Sequence, residues 1–134
     1  MNVLSIDYGS KRVGVASGNL DMQIGFARCV IPNEGKEALL KRVIDLKEEH
    51  NCGMVLLGLP LNDGEENPLM KDVDEFVEGL KSAGIKVELF DETLSSFEAD
   101  NIMRDIAEKN GKNILGRDAY AALVILQRFF EKSF

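Results

Sequence analysis

Four acidic residues stand where carboxylates could share a cation. Asp7 ends the first apolar run, the adjacent Asp91 and Glu92 close a later one, and Asp118 heads the last amphipathic segment. Oxygen donors of this kind suit hard divalent ions such as Mg2+ or Mn2+. Two such ions about 4 Å apart would activate a water and stabilise the leaving oxygen of a phosphodiester, so no side-chain base is compulsory. Each acid also has a structural role open to it. Asp close before Gly is common in turns, two acids can simply end a strand ahead of a capped helix, and an acid in the first turn of a helix is favoured by the helix dipole. What gives the set its weight is that acids stand at three separate element ends, where sites assemble in α/β folds. Spacing does not choose between Asp91 and Glu92, because strand alternation gives Val87, Leu89 and Asp91 one face and Phe90 and Glu92 the other.

Other chemistries find less support. His50 is the only histidine, near a helix C-terminus where a solvent-exposed cap is expected. Cys29 and Cys52 lie far apart without C-x-x-C spacing, which argues against a zinc site or a disulfide framework and predicts buried, reduced thiols. Lys and Arg number 16 against 23 Asp and Glu, a net charge of −7. That balance counts against a protein that coats nucleic acid electrostatically, so any such contact must be local. A metal-dependent nuclease tolerates it, since ions held by clustered carboxylates present positive charge to phosphate. At 134 residues and 45% hydrophobic content, one soluble domain is expected, with no apolar window long enough for a membrane span. The N-terminus carries no basic segment followed by a long apolar run, which predicts a cytoplasmic protein.

The elements that must position these residues are legible in outline. Residues 2–8 and 12–17 read as strands joined by a hairpin, and a third strand, 24–31, stops at Pro32. Asn33 is placed to cap a helix over about 34–50, with Leu39, Leu40, Val43, Ile44 and Leu46 as its apolar stripe. Residues 54–57 form a continuous hydrophobic run between glycines, the pattern of a mid-sheet strand buried on both faces. A helix over about 68–83 turns Val73, Phe76, Val77 and Leu80 inward and ends at Gly84. A fifth strand spans 85–90. Ser95 and Glu98 make a capping box that opens a helix to about 109, and the last helix, about 117–132, aligns Ala121, Ala122, Ile125 and Phe129. Small residues at 121 and 122 would let its start lie close to the sheet. The order predicts an α/β, ribonuclease H-like fold: a five-stranded mixed sheet, three antiparallel strands then alternating helix and strand, with helices on both faces.

Four ordered blocks carry a resemblance. Asp7-Tyr8-Gly9-Ser10-Lys11-Arg12-Val13-Gly14-Val15-Ala16, Gly58-Leu59-Pro60-Leu61-Asn62, Asp91-Glu92-Thr93-Leu94-Ser95-Ser96 and Asp118-Ala119-Tyr120-Ala121-Ala122 resemble the YqgF family. The resemblance spans nearly the whole chain. It implies a ribonuclease H-like fold, also described as RuvC-like or as a Holliday junction resolvase, and a role in maturing the small-subunit ribosomal RNA precursor. Its three acids correspond to Asp7, Glu92 and Asp118, which would hold two Mg2+ or Mn2+ ions. Two positions depart from the pattern: Thr93 stands where the family usually has Arg, and Gly116-Arg117 where it often has Lys, with Arg117 a replacement cation. Further candidate phosphate contacts are Lys11 and Arg12 in the hairpin, Asn62 in its loop, and Ser95 and Ser96 at a helix N-terminus. Lys11 and Arg12 equally suit a solvated turn.

The function expected on these grounds is metal-dependent endonucleolytic hydrolysis in structured nucleic acid, in maturation of the pre-16S rRNA end. The alternatives are resolution of branched DNA and a ribosome-assembly factor that binds precursor RNA, within a pre-ribosomal particle, without cutting it. An actin-like phosphotransferase shares an Asp-x-Gly hairpin but sets its site between two domains, which one short domain cannot supply. Resolving a junction requires a symmetric dimer, whereas trimming an RNA end needs only a monomer.

Overall fold

The computed structural model describes residues 1–59, 68–91, 101, 104 and 116–132. Within them the chain runs β1 (Asn2–Asp7), β2 (Arg12–Asn19), β3 (Ile24–Pro32), α1 (Lys36–Glu49), β4 (Cys52–Leu59), α2 (Pro68–Ser82), β5 (Val87–Asp91) and α3 (Arg117–Lys132). The strands form one sheet in the order β3-β2-β1-β4-β5. β1, β2 and β3 pair antiparallel, while β4 pairs parallel with β1 and β5 parallel with β4. This is the mixed sheet expected from the sequence. The C-terminal ends of β1, β4 and β5 therefore share one edge.

Period-two alternation splits the core in two. Leu4, Ile6, Val13, Val15, Val55 and Leu57 face α1 and α2, and pack on Leu39, Val43, Val73, Phe76 and Leu80. Val3, Ala16, Met54 and Leu56 face α3 and pack on Ala122, Ile125 and Leu126. β4 is buried on both faces, as its unbroken apolar run requires. A helix layer thus covers each side of the sheet.

Several local expectations are corrected. The α1 helix begins at Lys36 with Gly35 as its N-cap, and no side chain caps it. Asn33 instead donates its Nδ2 to the Gly9 carbonyl of the first hairpin, while its Oδ1 accepts from the backbone N–H of Gly35, one residue ahead of the helix. In α3 burial is not confined to one stripe: every residue from Ala119 to Leu126 is buried, and Phe130 rather than Phe129 is enclosed. Phe129 is half-buried and meets Phe90 edge-on. Cys52 is buried but Cys29 only half-buried, and both are free thiols. His50 ends α1 as its C-cap, half-buried rather than solvent-exposed. The capping box at Ser95 and Glu98 lies outside the described residues, and of the helix expected after it only Asn101 and Arg104 are described, both helical and exposed. No helix among the described residues is long and apolar enough to cross a membrane.

Candidate active site

Asp7 is the last residue of β1, and its position in the pleat fixes its side. Leu4 and Ile6 face α1 and α2, so Ser5 and Asp7 face α3. Ser5 is fully buried there and its Oγ donates to the carbonyl of Ala122, 2.8 Å away, tying α3 to the strand that carries Asp7. Asp7 is paired on one side with Gly14 of β2 and on the other with Gly58 of β4. Both glycines are sites of close approach to α3. A methyl group at Gly14 would overlap the backbone carbonyl of Asp118, and one at Gly58 would overlap the Ile125 side chain. The first turn of α3 accordingly lies on the sheet beside Asp7, and Asp118 comes with it.

The two carboxylates feel each other. The Asp7 pKa is raised from 3.8 to about 6, chiefly by burial and then by the nearby Asp118 charge, with Arg117 opposing the rise. Asp118 is less enclosed. Its Oδ2 accepts from Arg12 Nε at 3.0 Å, across a side chain that is 73% exposed. Arg12 opens β2 at the end of a tight hairpin. A methyl at Gly9 would overlap the Arg12 carbonyl, so a side chain there would spread the turn. Asn33 clamps the hairpin from β3: its Nδ2 donates to the Gly9 carbonyl at 2.9 Å and its backbone N–H to the Lys11 carbonyl at 2.9 Å.

An open cleft of about 240 Å³ is lined by Gly9, Ser10, Lys11, Arg12 and Asp118. A second polar depression of about 240 Å³ adjoins it, between Tyr8, Ser10, Asn33, Lys36, Asp72 and Glu75. A larger cavity, about 330 Å³, lies among Asn2, Ser17, Ile24, Phe26, Arg28 and His50, towards the opposite end of β1 and away from the acids.

Of the residues singled out in the sequence, Asp7, Lys11, Arg12, Arg117 and Asp118 gather at one end of the sheet. Glu92, Asn62, Ser95 and Ser96 lie outside the described residues. Among the described residues no group of three or more His, Cys, Asp and Glu side chains is arranged to hold a metal ion; the acids brought together are two. Those two suit a hard cation. They offer only oxygen, Asp7 is buried at a cost in its charged form, and Asp118 lines an open polar cleft. Gly14, Gly58 and Asn33 were not among the sequence candidates. A glycine inside a strand does signal close backbone approach, but nothing in the sequence says what approaches.

The order and pairing of the strands, with helices on both faces, define the chain as an α/β protein of ribonuclease H-like fold. Its fold matches the fowlpox virus resolvase bound to Holliday junction DNA (TM-score 0.66, 15% identity, covering 100% of this chain and 99% of that one). It also matches Thermus thermophilus RuvC with a Holliday junction substrate (TM-score 0.65, 15% identity, 99% and 96%). The chain belongs to the RuvX family, described as Holliday junction resolvase, whose model matches residues 1–132. Curated relatives carry the name "Putative pre-16S rRNA nuclease". One from Maridesulfovibrio salexigens is 30% identical over 99% of this chain and 100% of its own length. Another, from Burkholderia multivorans, is 36% identical over 97% and 89%.

Proposed function

We propose that the protein is a divalent-metal-dependent endonuclease that cuts phosphodiester bonds in structured nucleic acid, with precursor 16S ribosomal RNA as its substrate. The observation that carries this is the convergence of Asp7 and Asp118 on the glycine-lined end of β1. Asp7 and Asp118 would hold the metal together with Glu92. Glu92 rather than Asp91 is proposed as the third acid on the strength of the family pattern. Bound there, Mg2+ or Mn2+ would polarise the phosphate and lower the pKa of the attacking water.

The chain's own side chains do the rest. Lys11 and Arg12, on the cleft rim, and Arg117, at the head of α3, offer cations to the phosphates flanking the scissile bond. Asn62, Ser95 and Ser96 are proposed as further phosphate contacts on the strength of the family pattern. The same resemblance supports a cytoplasmic location and work on a pre-ribosomal particle.

A second reading is resolution of branched DNA, favoured by the family description and by two structural neighbours that carry Holliday junction substrates. One experiment separates the two. Purified protein is incubated with Mg2+ or Mn2+ and either a precursor 16S fragment or a four-way DNA junction, and its solution mass is measured alongside. Cleavage of the RNA by a monomer is expected. Symmetric nicking of the junction by a dimer, with the RNA intact, would reverse the assignment.

A further inference from the structure

The Arg12–Asp118 pair is the one feature of this end of the sheet that a structural salt bridge explains poorly. Its arginine is 73% exposed and its carboxylate 30% exposed, and exposed ion pairs contribute little to stability. Yet the backbone beneath Arg12 is firmly held. Arg12 pairs with Pro32 in the sheet, and Asn33 clamps the turn before it at both Gly9 and Lys11. A guanidinium that is solvated on a held backbone can exchange its partner without moving the chain.

The geometry points to Arg12 as an exchangeable counter-ion of the acidic pair: it holds a carboxylate oxygen of Asp118 in competition with a divalent cation and gives it up to bind a nucleic-acid phosphate. This rests on the metal-site reading above. Asp7 and Asp118 repel, and cations from Arg12 and Arg117 offset that repulsion. A divalent ion brings stronger compensation to the same carboxylates, but two cations on one carboxylate repel each other. The guanidinium keeps four further N–H donors and sits on the cleft rim, and phosphate is a geometrically matched partner for its fork. Nucleic acid that draws Arg12 away therefore strengthens metal binding, and the two ligands favour one another.

The rival role is a fixed one, in which Arg12 orients Asp118 for the metal. Groups that orient a ligand in this way strengthen metal binding, so their loss weakens it. The two roles predict opposite signs. Mn2+ is titrated calorimetrically into the full chain after chelator treatment, as the parent and as Arg12→Gln, Arg12→Lys, Lys11→Gln and Asp7→Asn. Arg12→Gln is expected to bind Mn2+ about three- to tenfold more tightly than the parent. Arg12→Lys should stay near the parent value, and Lys11→Gln, which removes the same charge next door, should shift affinity less than about twofold. Unchanged or weaker binding by Arg12→Gln overturns the proposal, and so does equal tightening by Lys11→Gln, which would trace the effect to net charge alone. The underlying reading fails separately: Mn2+ binding untouched by Asp7→Asn would mean that the acidic pair is not the metal site, and the proposal falls with it.

Discussion

Asp7 is costly to keep charged. Its folded-state pKa of about 6 lies above the ordinary 3.8, chiefly because burial disfavours the carboxylate and then because Asp118 repels it. A group shifted in this direction stabilises the fold fully only below its unfolded pKa, and that contribution is lost as pH rises through about 6. After allowance for solvent screening of a side chain that is not fully enclosed, about 2 kcal/mol is at stake. Asp7→Asn removes the titration with little change of shape. In chelator, this variant is expected to melt several degrees above the parent at pH 7.5, with the gap closing towards pH 4. Thermal melts of both proteins between pH 4 and 8 check this, and a gap independent of pH would mean that Asp7 ionises without cost. The acid itself was legible in the sequence as a strand-end carboxylate. Its raised pKa depends chiefly on burial and then on Asp118, 111 positions further along the chain, and both are set by the tertiary fold.

At the scale of elements, the site is made by how closely α3 approaches the sheet. Asp7 lies between Gly14 and Gly58, and both glycines stand where a side chain would strike α3. Gly14→Ala is expected to push the first turn of α3 outward and to destabilise the protein by about 1–3 kcal/mol, the range for overpacking in a close-packed interior. Denaturant unfolding measures the loss, and Mn2+ affinity should fall with it because Asp118 moves with the helix. A fully stable Gly14→Ala variant would contradict the close approach.

Most of these elements could be read from periodicity. The 3.6-residue spacing in α2 reflects its buried face, and Val73, Phe76, Val77 and Leu80 are enclosed as read, whereas Val13 to Ser17 of β2 and Ala119 to Leu126 of α3 are buried on every side. The partners of the glycines could not be read. Gly14 appears in sequence only as a gap between Val13 and Val15, and Ala121 and Ala122 mark the approach from the helix side alone. The role of Asn33 is hidden in the sequence for a related reason. An Asn ahead of a helix suits an N-cap, but here the hairpin carbonyls at Gly9 and Lys11 are its partners, and only the pairing of β2 with β3 brings them near.

At the scale of the whole molecule, a chain of net charge −7 gathers Lys11, Arg12 and Arg117 around two acids. Binding to nucleic acid should therefore depend on salt only modestly. With about three phosphates neutralised, the logarithm of affinity should fall with a slope of about −2 to −3 against the logarithm of salt concentration. Fluorescence anisotropy with a labelled RNA checks this in Ca2+ buffer, chosen to support binding without turnover. A slope near −8 would indicate a broad basic surface that the sequence does not contain.

If Asp7 and Asp118 form a catalytic metal site, the most direct test is divalent-dependent cleavage by Asp7→Asn beside the parent on the same RNA and junction substrates. The parent is expected to cut in Mg2+ or Mn2+, and to stop on addition of chelator. Asp7→Asn should be folded, at least as stable as the parent in chelator, and slower by a factor of a hundred or more, on the order of losing a key stabilising group from a transition state. Undiminished metal-dependent cleavage by Asp7→Asn would contradict the account at its centre.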